Sequence, residues 1–272
     1  MRKTIRKFKT VLVPIGEGRG EPAALALART IAEEVVLVGV VPIGAQESLS
    51  GGMQKARQVR KRLLALGTGP VIRFKSSVIV SEMPWQDLQT VLSQEKPDLL
   101  MIDWQDGGDP CGMPIAALLS SSLCDVALVR GAAPVRLGKT LIAVRGGPYA
   151  ELAFQLGMRL GSAQLDVLHL SLAGAANDAP FKGLMHILPS IPEAKLRSIT
   201  TDDTQRTILE EARSYDLVIL GVTAGRGSSG PSIGPVAEKL LRESPATVVV
   251  VKTRRPMNEA MFGESAGARA IS

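Results

Sequence analysis

The stretch Asp216–Lys252, with the sequence DLVILGVTAGRGSSGPSIGPVAEKLLRESPATVVVVK, is the most informative part of the chain. Its apolar runs Asp216–Gly221 and Thr247–Lys252 are typical of strands buried on both faces of a parallel sheet. Between them lies a loop with five glycines, counting the residue that ends the first run, followed by a helical pattern that starts near Val236. A loop that opens a helix after a buried strand presents backbone N–H groups and a positive helix end. The stretch therefore predicts strand, loop, helix and strand, with a place for an anion, phosphate above all.

The stretch resembles the C-terminal part of the universal stress protein family, whose members carry G-x2-G-x9-G-[S/T] between the fourth strand and the last helix. Gly221 and Gly234 have the spacing of the first and third motif glycines. Ala224 replaces the middle glycine, and Pro235, which has neither hydroxyl nor N–H, replaces the final Ser/Thr. The resemblance implies a Rossmann-like fold related to the adenine-nucleotide α-hydrolases.

The resemblance also implies a site for ATP or AMP. The base would lie near the end of the strand that precedes Arg145, and the phosphates against the glycine-rich loop. The candidate residues are Val144, Arg145, Gly146, Gly221, Gly225, Gly227, Gly230, Gly234 and Val236. The family's adenine-facing Asp is replaced by Arg145 here and by Gly16 in the first half. The alternative interpretation is a surface loop that binds nothing, since glycine-rich loops are common turns.

The two halves of the chain repeat each other. The segment from Lys9 matches the segment from Lys139, Pro97–Asp103 matches Tyr215–Gly221, and Asp125–Arg130 matches Thr247–Lys252. We therefore predict a tandem duplication, with domains at 8–132 and 139–254, a linker at Gly131–Gly138 and a flexible tail or linker at 255–272. Universal stress proteins pair through their last strands, which implies an internal pseudo-dimer between Val126–Val129 and Val248–Val251. A homodimer of the whole chain is also left open.

The fold class is α/β, with two doubly wound five-stranded parallel sheets. The predicted strands are Thr10–Ile15, Val35–Val41, Val71–Val80, Leu99–Asp103, Val126–Val129, Thr140–Val144, Leu165–Leu170, Lys195–Ile199, Leu217–Leu220 and Val248–Val251. The predicted helices are Pro22–Glu34, Gln46–Leu66, Pro84–Gln94, Pro114–Ser122, Ala150–Leu160, Phe181–Leu188, Thr204–Arg213 and Val236–Arg242.

The first half has a shorter loop, Asp103–Gly112, in place of the glycine-rich one. Gly112 aligns with Gly234, but Asp103, Asp106 and Asp109 lie where phosphates would sit, and acids there repel an anion. We expect no nucleotide in this half. Three loop acids are usually solvated, so we also expect no metal of the protein's own.

Catalytic signatures are missing from the sequence. Cys111 and Cys124 form no CxxC pair, His169 lies in a strand, and His186 lies in an apolar stretch. There is no P-loop, HExxH or nucleophile elbow. We predict a protein that is not an enzyme, and the same absence argues against a hydrolase of the wider superfamily.

Charge is concentrated in two places, the N-terminal segment and the helix that carries Lys55, Arg57, Arg60, Lys61 and Arg62, within a net charge of +6. Nucleic acid or acidic lipid would suit such clusters, but no aromatic residues are interleaved for base stacking and basic helix faces are usually solvated. No apolar run is long enough to span a membrane, and no signal peptide is evident, so we expect a cytoplasmic protein.

Two functions remain open at the level of sequence. The leading one is a non-catalytic stress-response or regulatory protein that binds ATP or AMP in its second half. The alternative is a nucleotide-free interaction domain that serves a larger polypeptide, a partner enzyme or a transporter.

Overall fold

The computed structural model describes residues 8–18, 20–44, 49–68, 72–105, 110–132, 136–144, 148–172, 194–222 and 233–253. The first half contains β1 (Phe8–Ile15), α1 (Ala23–Ile31), β2 (Ala32–Pro42), α2 (Leu49–Leu66), β3 (Arg73–Ser81), α3 (Pro84–Glu95), β4 (Leu99–Asp103), a 3-10 turn (Pro110–Gly112), α4 (Ile115–Ser121) and β5 (Asp125–Arg130). The second half contains β6 (Lys139–Val144), α5 (Pro148–Leu160), β7 (Gln164–Leu172), β8 (Ala194–Thr201), α6 (Thr204–Ala212), β9 (Leu217–Gly221), α7 (Pro235–Glu243) and β10 (Thr247–Lys252).

The strands form one ten-stranded sheet in the order β3-β2-β1-β4-β5-β10-β9-β6-β7-β8. Each half contributes five parallel strands in the same spatial order, which is the doubly wound arrangement. The α/β fold class and the tandem pair of five-stranded sheets predicted from the sequence are therefore confirmed.

The halves meet at an antiparallel pair, β5 with β10. Val129 lies opposite Val249, and Leu128 lies opposite Val250. The predicted internal pairing of the two last strands is confirmed, and it covers two strand edges that would otherwise offer unpaired N–H and C=O groups.

Two apolar layers cover the sheet, one on each face. Neighbouring strand residues alternate between them: Val11 packs in the layer with α1, α2 and α5, whereas Leu12 packs in the layer with α3, α4, α6 and α7. This burial on both faces explains the continuous apolar runs in the sequence. Both layers include residues of both halves, and the division at 8–132 and 139–254 stays a prediction.

Equivalent aspartates tie the first and fourth strands of each half together. Asp98 Oδ2 accepts hydrogen bonds from the N–H groups of Lys9 at 2.6 Å and Thr10 at 3.2 Å. Asp216 Oδ2 accepts from Gly138 at 3.0 Å and Lys139 at 2.8 Å. Thr10 is thus the structural equivalent of Lys139, so the sequence match of Lys9 with Lys139 was wrong by one residue.

The predicted boundary between α1 and β2 was also wrong. Helix α1 ends at Ile31 rather than Glu34, because Ala32 adopts an extended conformation (φ −102°, ψ 156°) and begins β2, pairing with Phe8. Pairing along β1 outweighs the helical pattern of these residues. The predicted helix Phe181–Leu188 and the tail 255–272 lie outside the described residues.

Gly39 in β2 gives the first testable consequence of this packing. A Cβ at Gly39 would lie 2.5 Å from Val59 Cγ1 and 3.1 Å from Leu63 Cδ1, both on α2. Gly39→Ala should therefore push α2 off the sheet and lower the free energy of unfolding by about 1–3 kcal/mol. The control is Gly44→Ala, where a Cβ meets nothing within 4 Å, and where we expect a change below about 0.5 kcal/mol. Urea denaturation measures both, and equal stability of the two variants would contradict the packing argument.

Candidate functional site

The candidate site of the second half lies where β6 and β9 end. After these neighbouring strands the chain continues in opposite directions, to β7 and to β10, so their carboxyl ends border a crevice of the kind that binds ligands in open α/β sheets. Ala143 and Leu220 are the last paired residues, which places Val144 and Gly221 next to each other at its floor. Val144 is buried.

Gly221 is required by close packing at this floor. A Cβ at this position would lie 2.5 Å from the Cβ of Tyr149, in the first turn of α5. The half-buried Tyr149 thus lies directly against the end of β9. The glycine that the sequence assigned to nucleotide binding therefore has a structural role in any case, and it leaves the strand end without a side chain.

Gly234 and Pro235 form the start of α7 on the other side of the loop. Gly234 has φ +88°, a value that favours glycine, and its carbonyl accepts the first helical hydrogen bond, from Glu238 N–H at 2.9 Å. Pro235 occupies the first helical position and supplies no N–H. Val236 is half-buried and packs against the apolar layer. Among the described residues, no side chain caps this helix end.

Five of the predicted nucleotide contacts cannot be placed. Arg145 and Gly146 lie outside the described residues, as do Gly225, Gly227 and Gly230. The structure thus brings Val144 and Gly221 together, and it places Gly234 and Val236 at the start of α7.

The first half differs because β4 ends in Asp103, the equivalent of Gly221. Asp103 Oδ1 accepts a hydrogen bond from the Ala24 N–H at 2.7 Å, in the first turn of α1. Burial raises the pKa of the Asp103 carboxyl, against the opposing effects of the Ala24 and Ala23 N–H groups and the charge of Arg62. The chain thus places its own carboxyl group at a helix N-terminus, which is a favourable anion position.

Arg62, on α2, binds the loop between β1 and α1. Its guanidinium donates hydrogen bonds to the carbonyl of Gly16 and, at 3.0 Å, to the carbonyl of Gly20. Among the cations of the basic helix, Arg62 therefore turns inward to hold the loop between β1 and α1. The sequence pattern grouped it with solvated residues, and nothing in the helix spacing identifies its partners. Asp106 and Asp109, the other acids predicted here, lie outside the described residues.

Cys111 lies beside this cluster without the properties of a nucleophile. Its Sγ is 3.2 Å from the position that a Cβ on Gly16 would take. Burial raises the pKa of the Cys111 thiol to about 12, and the nearby Asp103 adds to the rise. The thiol therefore stays protonated at neutral pH, which is the unreactive form.

Glu151 and His169, the other candidate acid and base that the structure describes, lie on separate elements, α5 and β7. Glu151, 4% exposed, has a raised pKa because of burial and, second, the charge of Asp125, while a hydrogen bond from Gln155 opposes the rise. His169 is buried in β7, and His186 lies outside the described residues. The described part of the chain contains no group of three His, Cys, Asp or Glu residues that could hold a metal ion. No helix in that part is both long and apolar enough to cross a membrane.

Solved structures of low sequence identity share this architecture. A universal stress protein from Archaeoglobus fulgidus DSM 4304 superposes with a TM-score of 0.63 at 14% identity, covering 91% of this chain and 98% of that chain. A putative universal stress protein from Pseudomonas aeruginosa UCBPP-PA14 has a TM-score of 0.57 at 16% identity, covering 91% and 94%. The cytoplasmic domain of a prokaryotic cation chloride cotransporter has a TM-score of 0.54 at 14% identity, covering 90% and 95%.

These likenesses confirm the predicted resemblance to tandem universal stress proteins at the level of the fold. No protein-family model matches the sequence, and no curated protein matches it either.

Substitution of Arg62 tests whether its hydrogen bonds to the β1–α1 loop stabilise the first half. Arg62→Met keeps the length of the side chain but removes both hydrogen bonds to the β1–α1 loop, so the free energy of unfolding should fall by about 1–3 kcal/mol. Arg60→Met, on the exposed face of the same helix, should change it by less than about 0.5 kcal/mol. Chemical denaturation compares the two. A loss in Arg60→Met as large as in Arg62→Met would show that the two hydrogen bonds of Arg62 do not stabilise the fold.

Glu151 provides a test of pH dependence. Because its folded-state pKa is raised, the folded protein binds more protons than the unfolded chain, and stability from this group falls as pH rises above the usual glutamate pKa. Glu151→Gln should therefore melt at a higher temperature than wild type at pH 7, and the difference should shrink towards pH 4. Glu238→Gln, which loses only an exposed pair with Arg242, serves as the control. A Glu151→Gln protein that is less stable than wild type at pH 7 would show that the charge is stabilising.

Proposed function

We propose that this chain is a non-catalytic regulatory protein of the tandem universal stress protein type, acting in the cytoplasm, and that it binds ATP or AMP in its second half only. The observation that carries this proposal is the difference between Asp103 and Gly221. At equivalent strand ends, the first half supplies its own carboxyl group to a helix N-terminus, whereas the second half supplies no side chain.

The first half would bind a phosphate poorly for two reasons. The Ala24 N–H, which an anion could use, already donates to Asp103. The Arg62 guanidinium donates hydrogen bonds to carbonyl groups of the loop between β1 and α1, so this cation is not free to pair with a phosphate. A nucleotide would have to displace intramolecular contacts, which form at a high effective concentration.

In the second half, the base would lie near Val144, Arg145 and Gly146. The phosphates would lie along the loop that carries Gly225, Gly227 and Gly230, between Gly221 and Gly234. The start of α7 near Gly234 and Val236 would contribute its positive end. We expect weak binding, because Pro235 lacks both an N–H and a hydroxyl, and Arg145 replaces a carboxylate.

The absence of a catalytic role is part of the proposal. Among the described residues, the Cys111 thiol has a raised pKa and the carboxyl of Glu151 is buried beside Gln155. An activated nucleophile needs an adjacent base or a lowered pKa, and neither side chain meets that condition.

A second candidate function is a nucleotide-free interaction domain that serves a larger polypeptide, a partner enzyme or a transporter. The similarity to the cytoplasmic domain of a cation chloride cotransporter favours it, because that domain covers 90% of this chain with the same arrangement. The two candidates differ in one measurable property, which is nucleotide binding.

Calorimetric titration of ATP and AMP tests the proposed site. Wild type should release heat, Gly234→Val should lose it, and Gly112→Val should keep it. Gly112 is a matched control because it aligns with Gly234 and has a similar φ, +73° against +88°, so both variants carry comparable backbone strain. Circular dichroism should first establish that both variants are folded.

Pro235→Ser tests the same site by a gain of binding. Serine at this position restores one N–H and one hydroxyl, and hydrogen bonds to charged groups contribute about 1.5–3 kcal/mol, so affinity should rise about tenfold or more. Pro114→Ser, at the start of the first-half helix α4, should leave affinity unchanged. No heat from wild type or from Pro235→Ser would reject nucleotide binding and favour the interaction domain.

A further inference from the structure

Helix α2 presents an unusual exposed face. At about 100° per residue, Met53, Arg57, Arg60, Lys61 and Leu64 fall within an arc of about 100°. All five side chains are exposed, and Val59 and Leu63, on the opposite side of the helix, are buried against the sheet. We call these five residues the α2 arc.

The α2 arc carries three positive charges, those of Arg57, Arg60 and Lys61. Helix α2 contains no acidic residue, and within the described part of the chain Arg57, Arg60 and Lys61 form no ion pair. Basic residues of two other helices are paired one turn away: Arg206 with Glu210 in α6, Lys239 with Glu243 in α7, and Arg242 with Glu238 in α7. Exposure alone therefore does not account for the unpaired Arg57, Arg60 and Lys61, because exposed cations of α6 and α7 are paired.

The α2 arc also carries exposed apolar side chains. Leu64 is 65% exposed and Met53 is 55% exposed, and they lie about 16 Å apart along the helix. A helix with its cations between two exposed apolar side chains matches the pattern that lies in a membrane interface, where apolar groups enter the acyl boundary and cations meet headgroups.

We propose that the α2 arc docks the protein on the surface of a membrane that contains anionic lipids. Charge complementarity selects an anionic partner, and Met53 and Leu64 favour a lipid surface over nucleic acid, because the arc has no aromatic residue for base stacking. The contact is peripheral and reversible. The proposal does not depend on nucleotide binding, since the arc belongs to the first half and lies on the outside of α2.

The strength of the contact can be estimated. A Lys or Arg near an anionic membrane surface strengthens binding about fivefold, so three cations contribute on the order of a hundredfold. This attraction falls as salt rises, because screening shortens the range of the surface potential.

The test is co-sedimentation of the full chain with sucrose-loaded phosphatidylcholine vesicles, with and without roughly one-third phosphatidylserine, at low salt. Wild type should bind only the anionic vesicles. The triple variant Arg57→Gln, Arg60→Gln, Lys61→Gln should bind about a hundredfold more weakly. The control Arg136→Gln, Lys195→Gln, Arg213→Gln has the same net charge, changes three exposed residues outside α2, and should bind within a few-fold of wild type.

A second variant separates a lipid surface from other anionic partners. Met53→Ser with Leu64→Ser keeps every charge, and it should weaken vesicle binding severalfold while leaving any binding to single-stranded DNA unchanged. Thermal melts should establish that all variants are folded.

Three results would overturn the proposal. The first is that wild type does not bind anionic vesicles. The second is that the triple variant and its charge-matched control lose binding equally. The third is that the α2 arc binds DNA but not vesicles. Loss in the triple variant alone, together with the effect of the two serines, would support it.

Discussion

The antiparallel pairing of β5 with β10 is the contact on which the architecture depends. Each half, taken alone, is a five-stranded sheet whose last strand would present an unpaired edge, and such edges are sites of uncontrolled association. Pairing the two edges within one chain satisfies the hydrogen-bonding groups of both strands. It places Val129 against Val249 in the centre of a ten-stranded sheet. The apolar layers then continue across the junction on both faces, so the halves stabilise each other.

Within each half, one carboxylate fixes the order of the central strands. Asp98, just before β4, accepts hydrogen bonds from the backbone N–H groups at the start of β1. Asp216, just before β9, does the same at the start of β6. This repeated geometry is direct physical support for a duplication, because the same residue type makes the same contact at equivalent places. Five residues further on, the halves diverge: Asp103 reaches the first turn of α1, whereas Gly221 packs against Tyr149.

The sequence predicted most of the fold because buried parallel strands have distinctive apolar runs and the two halves could be compared with each other. It failed where local pattern and pairing disagree, as at Ala32, which continues a helical pattern but pairs with Phe8. The candidate site was predictable only in part. Glycine spacing located Gly221 and Gly234, but the packing of Tyr149 on Gly221 and the inward turn of Arg62 depend on distant segments that no local pattern reveals.

Arg62 and the α2 arc show how one helix can combine two different roles. Val59 and Leu63 anchor α2 to the sheet, Arg62 holds the loop between β1 and α1, and Arg57, Arg60 and Lys61 lie exposed on the other side of the helix. A cation that binds backbone carbonyls is no longer available to an external anion. Arg57, Arg60 and Lys61, which form no ion pair with the described residues, are available. On our proposals, the first half therefore meets anions on its outer surface and the second half meets them in its crevice. The duplication would then have separated attachment from ligand binding, because in the first half Asp103 and Arg62 already bind the chain's own Ala24 N–H and Gly16 carbonyl.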